Sequence, residues 1–336
     1  MSNILTIENK KIGENYPIYF IAEAGLNHNG DIKIAKKMIE YAAECNADAI
    51  KFQTYKTEKF LTSESPYFDL FKKVELPFDK FAELKDYSKS NNITFFSTPF
   101  DTDSVDYLSS INVPCFKTSS SDLTNMPLIK HIAKTKKPMI ISSGLATLQE
   151  VEEAVNWCLS ESNSNLALLH CVSNYPTLPE ETNLSVIENL KRKFGCTAGY
   201  SDNGDSDLVV LAAVSMGASI IEKHFTMDKK LTGPDHSFSI EPKELKFLIS
   251  QIREIETMKG DGIKCPNPSE LNIRIMGRKS ITINKNIKKG QILTKDMFEI
   301  KRPLAGIEPK YIEQIIGLKI NKDITKDTAI NWKDID

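Results

Sequence analysis

Residues 18–55 read IYFIAEAGLNHNGDIKIAKKMIEYAAECNADAIKFQTY, which is an apolar run, an amphipathic stretch and a second apolar run. The two apolar runs are short and rich in β-branched and aromatic residues, as buried strands are. Asp31 is a suitable helix N-cap, and the apolar residues after it recur at helical spacing with lysines on the other face. The segment therefore predicts a strand, a covering helix and a second, parallel strand.

The same alternation continues to about residue 257 and gives eight strand candidates. They span residues 18–25, 48–55, 93–100, 114–121, 138–145, 165–172, 196–202 and 219–226. Eight such strands with helices between them close a (β/α)8 barrel, so the predicted fold class is α/β, a TIM barrel. A doubly wound open sheet is the alternative. GLNHNG after the first strand is not the GxGxxG turn of dinucleotide-binding sheets, which counts against it.

The pattern changes near residue 260. KGDGIKCPNPSE (259–270) is a connector rich in Gly, Pro and Asn, and the residues after 278 form short apolar runs separated by turns. We therefore predict a barrel domain over residues 1–262, a linker over 263–277 and a small second domain over 278–336.

The composition excludes several classes of protein. With 40% hydrophobic and 26% charged residues in 336, the chain is globular rather than disordered. A net charge of −2 gives no overall attraction to nucleic acid or to an anionic membrane. No apolar run reaches the roughly 18 residues that span a bilayer, and no signal peptide pattern is present. The six cysteines contain no CxxC pair. We expect a cytoplasmic protein with reduced thiols and a small-molecule partner.

Polar side chains interrupt the apolar runs at their carboxyl ends, where TIM-barrel enzymes carry their chemistry. Lys51 and Lys117 are the sharpest signal, because an ammonium group is rarely buried without a partner anion. With hydroxyl groups from Ser120 and Ser142, they predict a cradle for phosphate or carboxylate oxygens. Two alternatives stay open: core salt bridges with Glu23, Asp122 or Glu222, and a Schiff-base lysine.

Histidines and an aspartate near the last strand are further candidates. His224 in IEKHFT could ligate a metal, transfer protons or form a hydrogen bond in the core. Asp235 in TGPDH is placed to contact a ligand, although aspartate is also an ordinary turn residue. Asn27 and Asn29 beside His28 are expected to form a turn.

Six motifs together resemble those of the sialic acid synthase family, which makes N-acetylneuraminate and related nonulosonic acids. They are IAEAGLNHNGD (21–31), DAIKFQTY (48–55), FFSTPFD (95–101), HCVSNYPT (170–177), GYSDN (199–203) and EKHFTMDKKLTGPDHSFSIEP (222–242). The chain from about residue 278 resembles that family's antifreeze-like domain, the SAF type. The resemblance implies a transferase that condenses phosphoenolpyruvate with the open-chain aldehyde of an N-acetylated hexosamine.

The resemblance also implies roles for individual residues. Phosphoenolpyruvate-binding positions are matched by Lys51, Thr98, Lys117, Ser120, Ser142 and Ser173. Sugar-binding positions are matched by Gln53, Asp122, Tyr175, Asp235 and Arg302. Glu23 matches a catalytic carboxylate, and Lys51 and Lys117 are expected to act with it.

Three positions depart from the family pattern. His224 matches one of two histidines that hold Mn2+ or Mg2+, but the second falls at Asn203, so an amide oxygen would replace an imidazole. Asp122 is shorter by one methylene than the usual glutamate, and Ser173 stands where some members have asparagine. A sugar-binding pseudoenzyme is therefore the alternative of another class.

Arg302 matches an arginine that reaches into the partner subunit's barrel, which implies a domain-swapped homodimer. Among possible products, the resemblance favours N-acetylneuraminate. Legionaminic acid is the alternative, and pseudaminic acid is less favoured because of the GPDH segment.

Overall fold

The computed structural model describes residues 3–336, and its first 260 residues contain a closed barrel of eight parallel strands. The strands are β3 (Tyr19–Gly25), β4 (Ala49–Thr54), β5 (Thr94–Pro99), β6 (Phe116–Thr118), β7 (Met139–Ser142), β8 (Leu166–Cys171), β9 (Thr197–Asp202) and β10 (Ile220–His224). Strand β10 pairs with both β3 and β9, which closes the sheet. The predicted TIM barrel is confirmed and the open sheet is wrong.

Helices cover the outside of the barrel. They are α1 (Ile32–Glu44), α2 (Thr57–Phe60), α3 (Phe68–Val74), α4 (Phe78–Ser90), α5 (Thr102–Ser110), α6 (Met126–Lys134), α7 (Leu148–Ser160), α8 (Val186–Phe194), α9 (Asp207–Ser215) and α10 (Pro242–Lys259). Asp31 caps α1 by accepting a hydrogen bond from the backbone N–H of Lys33, as its position predicts. None of the helices in residues 3–336 has the length and apolar character needed to cross a bilayer.

A short hairpin covers the amino-terminal end of the barrel, and the sequence analysis did not predict it. Its strands are β1 (Leu5–Ile7) and β2 (Lys10–Ile12). Leu5, Ile7 and Ile12 pack in one buried cluster with inward-facing residues of the barrel strands. This end is closed mainly by apolar packing, although Thr197 Oγ1 donates there to Ile12 O at 3.2 Å. The inward-facing charged side chains Glu23, Lys51, Lys117 and Glu222 lie at the carboxyl end.

Alternation along the strands separates two layers of side chains. Phe20, Phe52 and Leu168 belong to the cluster between barrel and helices, whereas Ile21, Ala49 and Leu169 belong to the inner cluster. Strand β6 is shorter than the predicted span of 114–121, because Ser119 accepts a hydrogen bond from the backbone N–H of Asp122 and turns the chain.

Residues 261–336 form a second compact unit with its own core. Strands β11 (Ser280–Ile283) and β12 (Phe298–Lys301) pair antiparallel, and the helices are α11 (Leu271–Gly277) and α12 (Ile312–Ile315). Buried aliphatic residues fill this unit, among them Ile281, Ile287 and Leu293. The segment predicted as a linker contains α11.

Candidate active site at the barrel mouth

Two buried lysines face each other across the carboxyl end of the barrel. Lys51 Nζ lies 2.8 Å from Glu23 Oε2 and donates a hydrogen bond to Thr98 Oγ1 at 2.9 Å. Lys117 Nζ donates to Ser142 Oγ at 2.6 Å. Five residues predicted to form the site are therefore in direct contact. Their ligand-binding roles stay predictions.

Glu222 joins the two lysines. Its Oε1 atom lies 3.7 Å from Lys51 Nζ and 3.5 Å from Lys117 Nζ, and it accepts a hydrogen bond from Ser201 at 3.3 Å. Both lysines thus form the alternative core salt bridges, Lys51 with Glu23 and Glu222 and Lys117 with Glu222. The sequence analysis considered Glu222 only as a salt-bridge partner. Its inward position two residues before His224 was the signal that could have placed it in the site.

Burial and charge shift the pKa values of this cluster in different directions. Burial raises the pKa of Glu23, although Lys51 opposes the shift, whereas Lys117 and Lys51 overcome burial and lower the pKa of Glu222. Burial lowers the pKa of Lys117, while the two carboxylates hold the pKa of Lys51 above its ordinary value. Two buried ammonium groups with hydroxyl groups beside them make this cluster a candidate site for an anionic ligand.

Several buried polar atoms at this end of the barrel have no hydrogen-bond partner within residues 3–336. They include Glu222 Oε2, Ser173 Oγ, Asn27 Oδ1 and His224 Nδ1. Most buried polar atoms in proteins are paired, so such a concentration calls for a ligand or bound water. These atoms lie at the same end as the two lysines.

Gly144, which follows β7, lies between two serine hydroxyl groups. Its N–H donates to Ser120 Oγ at 3.0 Å. A Cβ atom at this position would lie 2.3 Å from Ser173 Oγ and 2.7 Å from Ser120 Oγ. The close approach of Ser120 and Ser173 therefore requires glycine here, which the sequence analysis missed. We call Lys51, Thr98, Lys117, Ser120 and Ser142 the lysine side of the mouth.

The opposite part of the mouth is built around His224. Its Nδ1 atom lies 3.7 Å from Asp235 Oδ2, and its ring centroid lies 6.1 Å from that of Tyr175 and 5.2 Å from that of Phe238. Gly25, at φ +50°, allows this convergence, because a Cβ atom there would lie 3.3 Å from Asp235 Oδ2 and 3.5 Å from Glu23 Oε1. Gln53 also reaches Glu23, with Nε2 at 3.2 Å from Oε1. We call Tyr175, Asn203, His224, Asp235 and Phe238 the histidine side.

Hydrogen bonds between loops hold Asp235 in place. Asn27 Nδ2 donates to Phe225 O and to Ser239 Oγ, both at 2.9 Å, and Ser239 Oγ donates to Asp235 O at 2.5 Å. His236 lies 2.7 Å from Thr226 Oγ1 and 3.3 Å from Asn29 Oδ1. The asparagines that were expected to form a turn thus also tie the loop after β3 to the loop after β10.

His224 ends β10 and Asn203 follows β9, one residue beyond the paired Lys223 and Asp202, and both carry donor atoms that suit a hard divalent cation. Asn203 Nδ2 donates to Val172 O at 2.8 Å, which leaves Asn203 Oδ1 as an acceptor, and His224 Nδ1 is unpaired. Amide oxygen and imidazole nitrogen are accepted ligands of Mn2+ and Mg2+. No cluster of three or more His, Cys, Asp or Glu suited to a metal occurs in the described chain, so water and substrate would have to complete the coordination.

Two of the predicted sugar-binding residues have other surroundings. Both carboxylate oxygens of Asp122 are used locally, since Ser119 Oγ donates to Oδ2 at 2.6 Å and Asn125 Nδ2 donates to Oδ1 at 3.2 Å. This explains Asp122 as a turn residue, and its sugar contact stays a prediction. Arg302 follows β12 in the second unit and is exposed.

The chain is similar in sequence and structure to several known proteins. Residues 38–264 match the NeuB family, and residues 278–336 match the SAF domain. The chain is 42% identical to N,N'-diacetyllegionaminic acid synthase of Campylobacter jejuni, over 92% of this chain and 98% of the relative. It is 38% identical to the enzyme of that name from Legionella pneumophila, over 97% of each. A crystal structure of N-acetylneuraminic acid synthetase from Leptospira borgpetersenii, in complex with citrate, has a TM-score of 0.78 and 41% identity and covers 81% of this chain and 95% of that one.

Proposed function

This chain belongs to the NeuB family, the sialic acid synthases, and we propose that it is a transferase that condenses phosphoenolpyruvate with an N-acetylated mannosamine-type sugar to give a nonulosonic acid and phosphate. The observation that carries the proposal is the buried pair Lys51 and Lys117, which share Glu222 at distances longer than a hydrogen bond. Each ammonium group can therefore turn from Glu222 to a stronger anionic acceptor.

The lysine side supplies the donors that an enol phosphate requires. Phosphoenolpyruvate carries a phosphate and a carboxylate, both of which form charge-assisted hydrogen bonds with ammonium groups. Hydroxyl groups of Thr98, Ser120, Ser142 and Ser173 lie within the same part of the mouth and would complete the contacts. Fixed donors that offset this charge do so without reorganisation during the reaction.

In the proposed reaction, C3 of phosphoenolpyruvate attacks the sugar aldehyde, water adds at C2, and phosphate leaves from the tetrahedral intermediate. Glu23 is the proposed acid and base, because burial raises the pKa of its carboxyl group and because it lies at the mouth in direct contact with Lys51 and Gln53. Lys51, 2.8 Å from Glu23, stabilises the ionised form.

His224 and Asn203 are the proposed holders of Mn2+ or Mg2+. When bound, such a cation supplies Lewis acidity toward the aldehyde oxygen. Replacing Asn203 by His should tighten Mn2+ binding by about tenfold, which corresponds to about 1.4 kcal/mol. EDTA-treated protein and the Asn203→His variant would be titrated with Mn2+ and followed by electron paramagnetic resonance. Equal affinity in the two proteins would remove Asn203 from the metal site.

The sugar is proposed to contact Gln53, Asp122, Tyr175 and Asp235. We also propose that the chain consists of a barrel domain (1–262), a linker (263–277) and a SAF domain (278–336). In a domain-swapped homodimer, Arg302 of each SAF domain would then act in the other subunit's site. Mixing an Arg302→Ala chain with a Lys51→Ala chain should regain activity, since mixed dimers would contain one intact site. Activity no greater than that of the separate variants would argue against a shared site.

The resemblance favours N-acetylneuraminate as the product, with legionaminic acid as the alternative. The 42% and 38% identities to N,N'-diacetyllegionaminic acid synthases support legionaminic acid as the first proposed product and N-acetylneuraminate as the second. Phosphate release from phosphoenolpyruvate, measured with Mn2+ and a panel of N-acetylated hexosamines that includes diacetamido sugars, tests the function and ranks the substrates. Release that depends on one of these sugars is expected. The absence of phosphate release with every sugar and metal would favour a sugar-binding pseudoenzyme.

A further inference from the structure

A second buried ion pair lies behind the histidine side, on the outer face of the barrel wall. Lys223 and Asp202 are paired in register on β10 and β9, are 2% and 1% exposed, and form a direct salt bridge. Because side chains alternate along a strand, Lys223 points away from the mouth that Glu222 and His224 face. It therefore cannot contact a ligand in the barrel.

The pair holds the backbone on both sides of Asn203. Lys223 Nζ donates to Gly204 O at 2.7 Å as well as to Asp202, and Gly204 N donates to Asp202 Oδ1 at 3.2 Å. Residues 202 and 204 are thus both tied to one ammonium group, while Asn203 lies between them. The backbone carbonyl of Asn203 accepts a hydrogen bond from Thr177 N at 3.0 Å.

This arrangement places the Asn203 side chain on the inner side of the wall. Its Nδ2 atom lies 3.3 Å from the sulfur of Cys171, the last residue of β8, and helps, with Ser120 and Ser201, to cover that thiol, which is 6% exposed. A buried ion pair adds little net stability over an apolar pair of the same size, so its value lies more in the geometry that it imposes. The outer positions two residues earlier on the same two strands, Tyr200 and Ile221, are aromatic and apolar.

We propose that Lys223 and Asp202 are positioning residues that fix Asn203 over the barrel mouth and thereby set the histidine side for the sugar. The inference rests on the proposed function for its catalytic consequence, but not for the placement of the loop. Loss of the pair should loosen residues 203 and 204 and spare the lysine side, four of whose five residues lie within strands β4 to β7.

The test is the double variant Asp202→Asn/Lys223→Met, which removes both charges together and leaves no unpaired buried charge. Iodoacetamide labelling of each cysteine, followed by peptide mass spectrometry, reports whether Asn203 still covers Cys171. Exposed Cys265 is the internal standard. Cys158, which is buried on the side of α7 that packs on the barrel, reports unfolding of the whole barrel domain. The matched control is Lys193→Met, which removes an exposed lysine 2.8 Å from Glu152.

We expect Cys171 labelling to accelerate by about 10- to 100-fold, as for losses of supporting hydrogen bonds at other sites, with Cys158 unchanged. The KM for the sugar should rise by a similar factor while the KM for phosphoenolpyruvate stays within about twofold. Unchanged labelling of Cys171, or equal acceleration at Cys158, would overturn the proposal by showing no local role. If the wild type released no phosphate with any sugar, the proposed function would be wrong. The rate of Cys171 labelling would still test whether Lys223 and Asp202 position Asn203.

Discussion

The two sides of the barrel mouth are built differently. The lysine side uses side chains that project directly from strands, such as Lys51, Thr98 and Lys117, and their hydrogen bonds join neighbouring strands. The histidine side has only His224 on a strand, and Asp235 reaches it on a loop held by Asn27 and His236. Strand positions are fixed by the barrel, whereas loop positions depend on contacts between distant segments. Ligand binding at the lysine side should therefore be sensitive to changes in charge. Ligand binding at the histidine side should be sensitive to the loss of contacts that hold the loops.

The largest expected effect comes from removing a lysine. Lys51→Ala and Lys117→Ala should each raise the KM for phosphoenolpyruvate by about 10- to 100-fold, because each loses a charge-assisted contact worth about 1.5–3 kcal/mol. Steady-state kinetics with each substrate varied separately would measure this. The exposed Lys193→Ala is the control.

The same kinetics can break the comparison between the two sides. If the KM for the sugar rises as much as that for phosphoenolpyruvate, the lysine and histidine sides are not separate. An unchanged KM for phosphoenolpyruvate would show that Lys51 and Lys117 do not bind its anionic groups. The double variant Lys117→Ala/Glu222→Gln sharpens the result. Its KM for phosphoenolpyruvate should be lower than that of Lys117→Ala, because the carboxylate that has lost Lys117 is neutralised.

How far the sequence predicted these two sides follows from the same difference. Lys51, Lys117 and Glu23 could be placed at the barrel mouth because they interrupt apolar runs near the ends of predicted strands, and an apolar run is a local property of the chain. The support of Asp235 by Asn27 joins residues more than 200 positions apart, and no local pattern specifies it. Gly144 was missed because the need for glycine arises only where Ser120 and Ser173 meet in space.

The folded chain should lose stability at acid pH through His28, which lies in the loop after β3 that supports the histidine side. Burial lowers the pKa of His28 from 6.5 to about 4, and its Nδ1 accepts a hydrogen bond from Gly30 N at 3.0 Å. The unfolded chain binds a proton between these pKa values and the folded chain does not, so stability falls as pH falls through this range. Between pH 7.5 and pH 5 the loss due to His28 is about 2 kcal/mol.

Urea unfolding of the wild type and of His28→Gln at both pH values measures this contribution as a difference. The variant should lose less stability on acidification, by about 2 kcal/mol, even if it is less stable at neutral pH. The other carboxyl and imidazole groups titrate in both proteins and cancel. Parallel pH profiles would show that His28 is protonated in the folded chain and does not need to stay neutral in the loop.

The smallest expected effect tests the lysine side without changing its charge. In Gly144→Ala, the new Cβ atom would meet the hydroxyl groups of Ser120 and Ser173, which are side-chain ends that can rotate away. The new Cβ would also lie 3.1 Å from Ser120 Cβ, so some loss of stability is expected, and both hydroxyl groups would leave their positions around Gly144. The KM for phosphoenolpyruvate should rise by about tenfold, or about 1.4 kcal/mol, while the KM for the sugar stays constant.

Gly277→Ala is the matched control, because no atom lies within 4 Å of a Cβ at that position, and thermal unfolding would check the fold of both variants. Equal KM values for phosphoenolpyruvate in Gly144→Ala and the wild type would mean that the two serine hydroxyl groups do not hold the anion. The lysine side would then consist of its strand residues alone, and the loops after β6 to β8 would have no part in it.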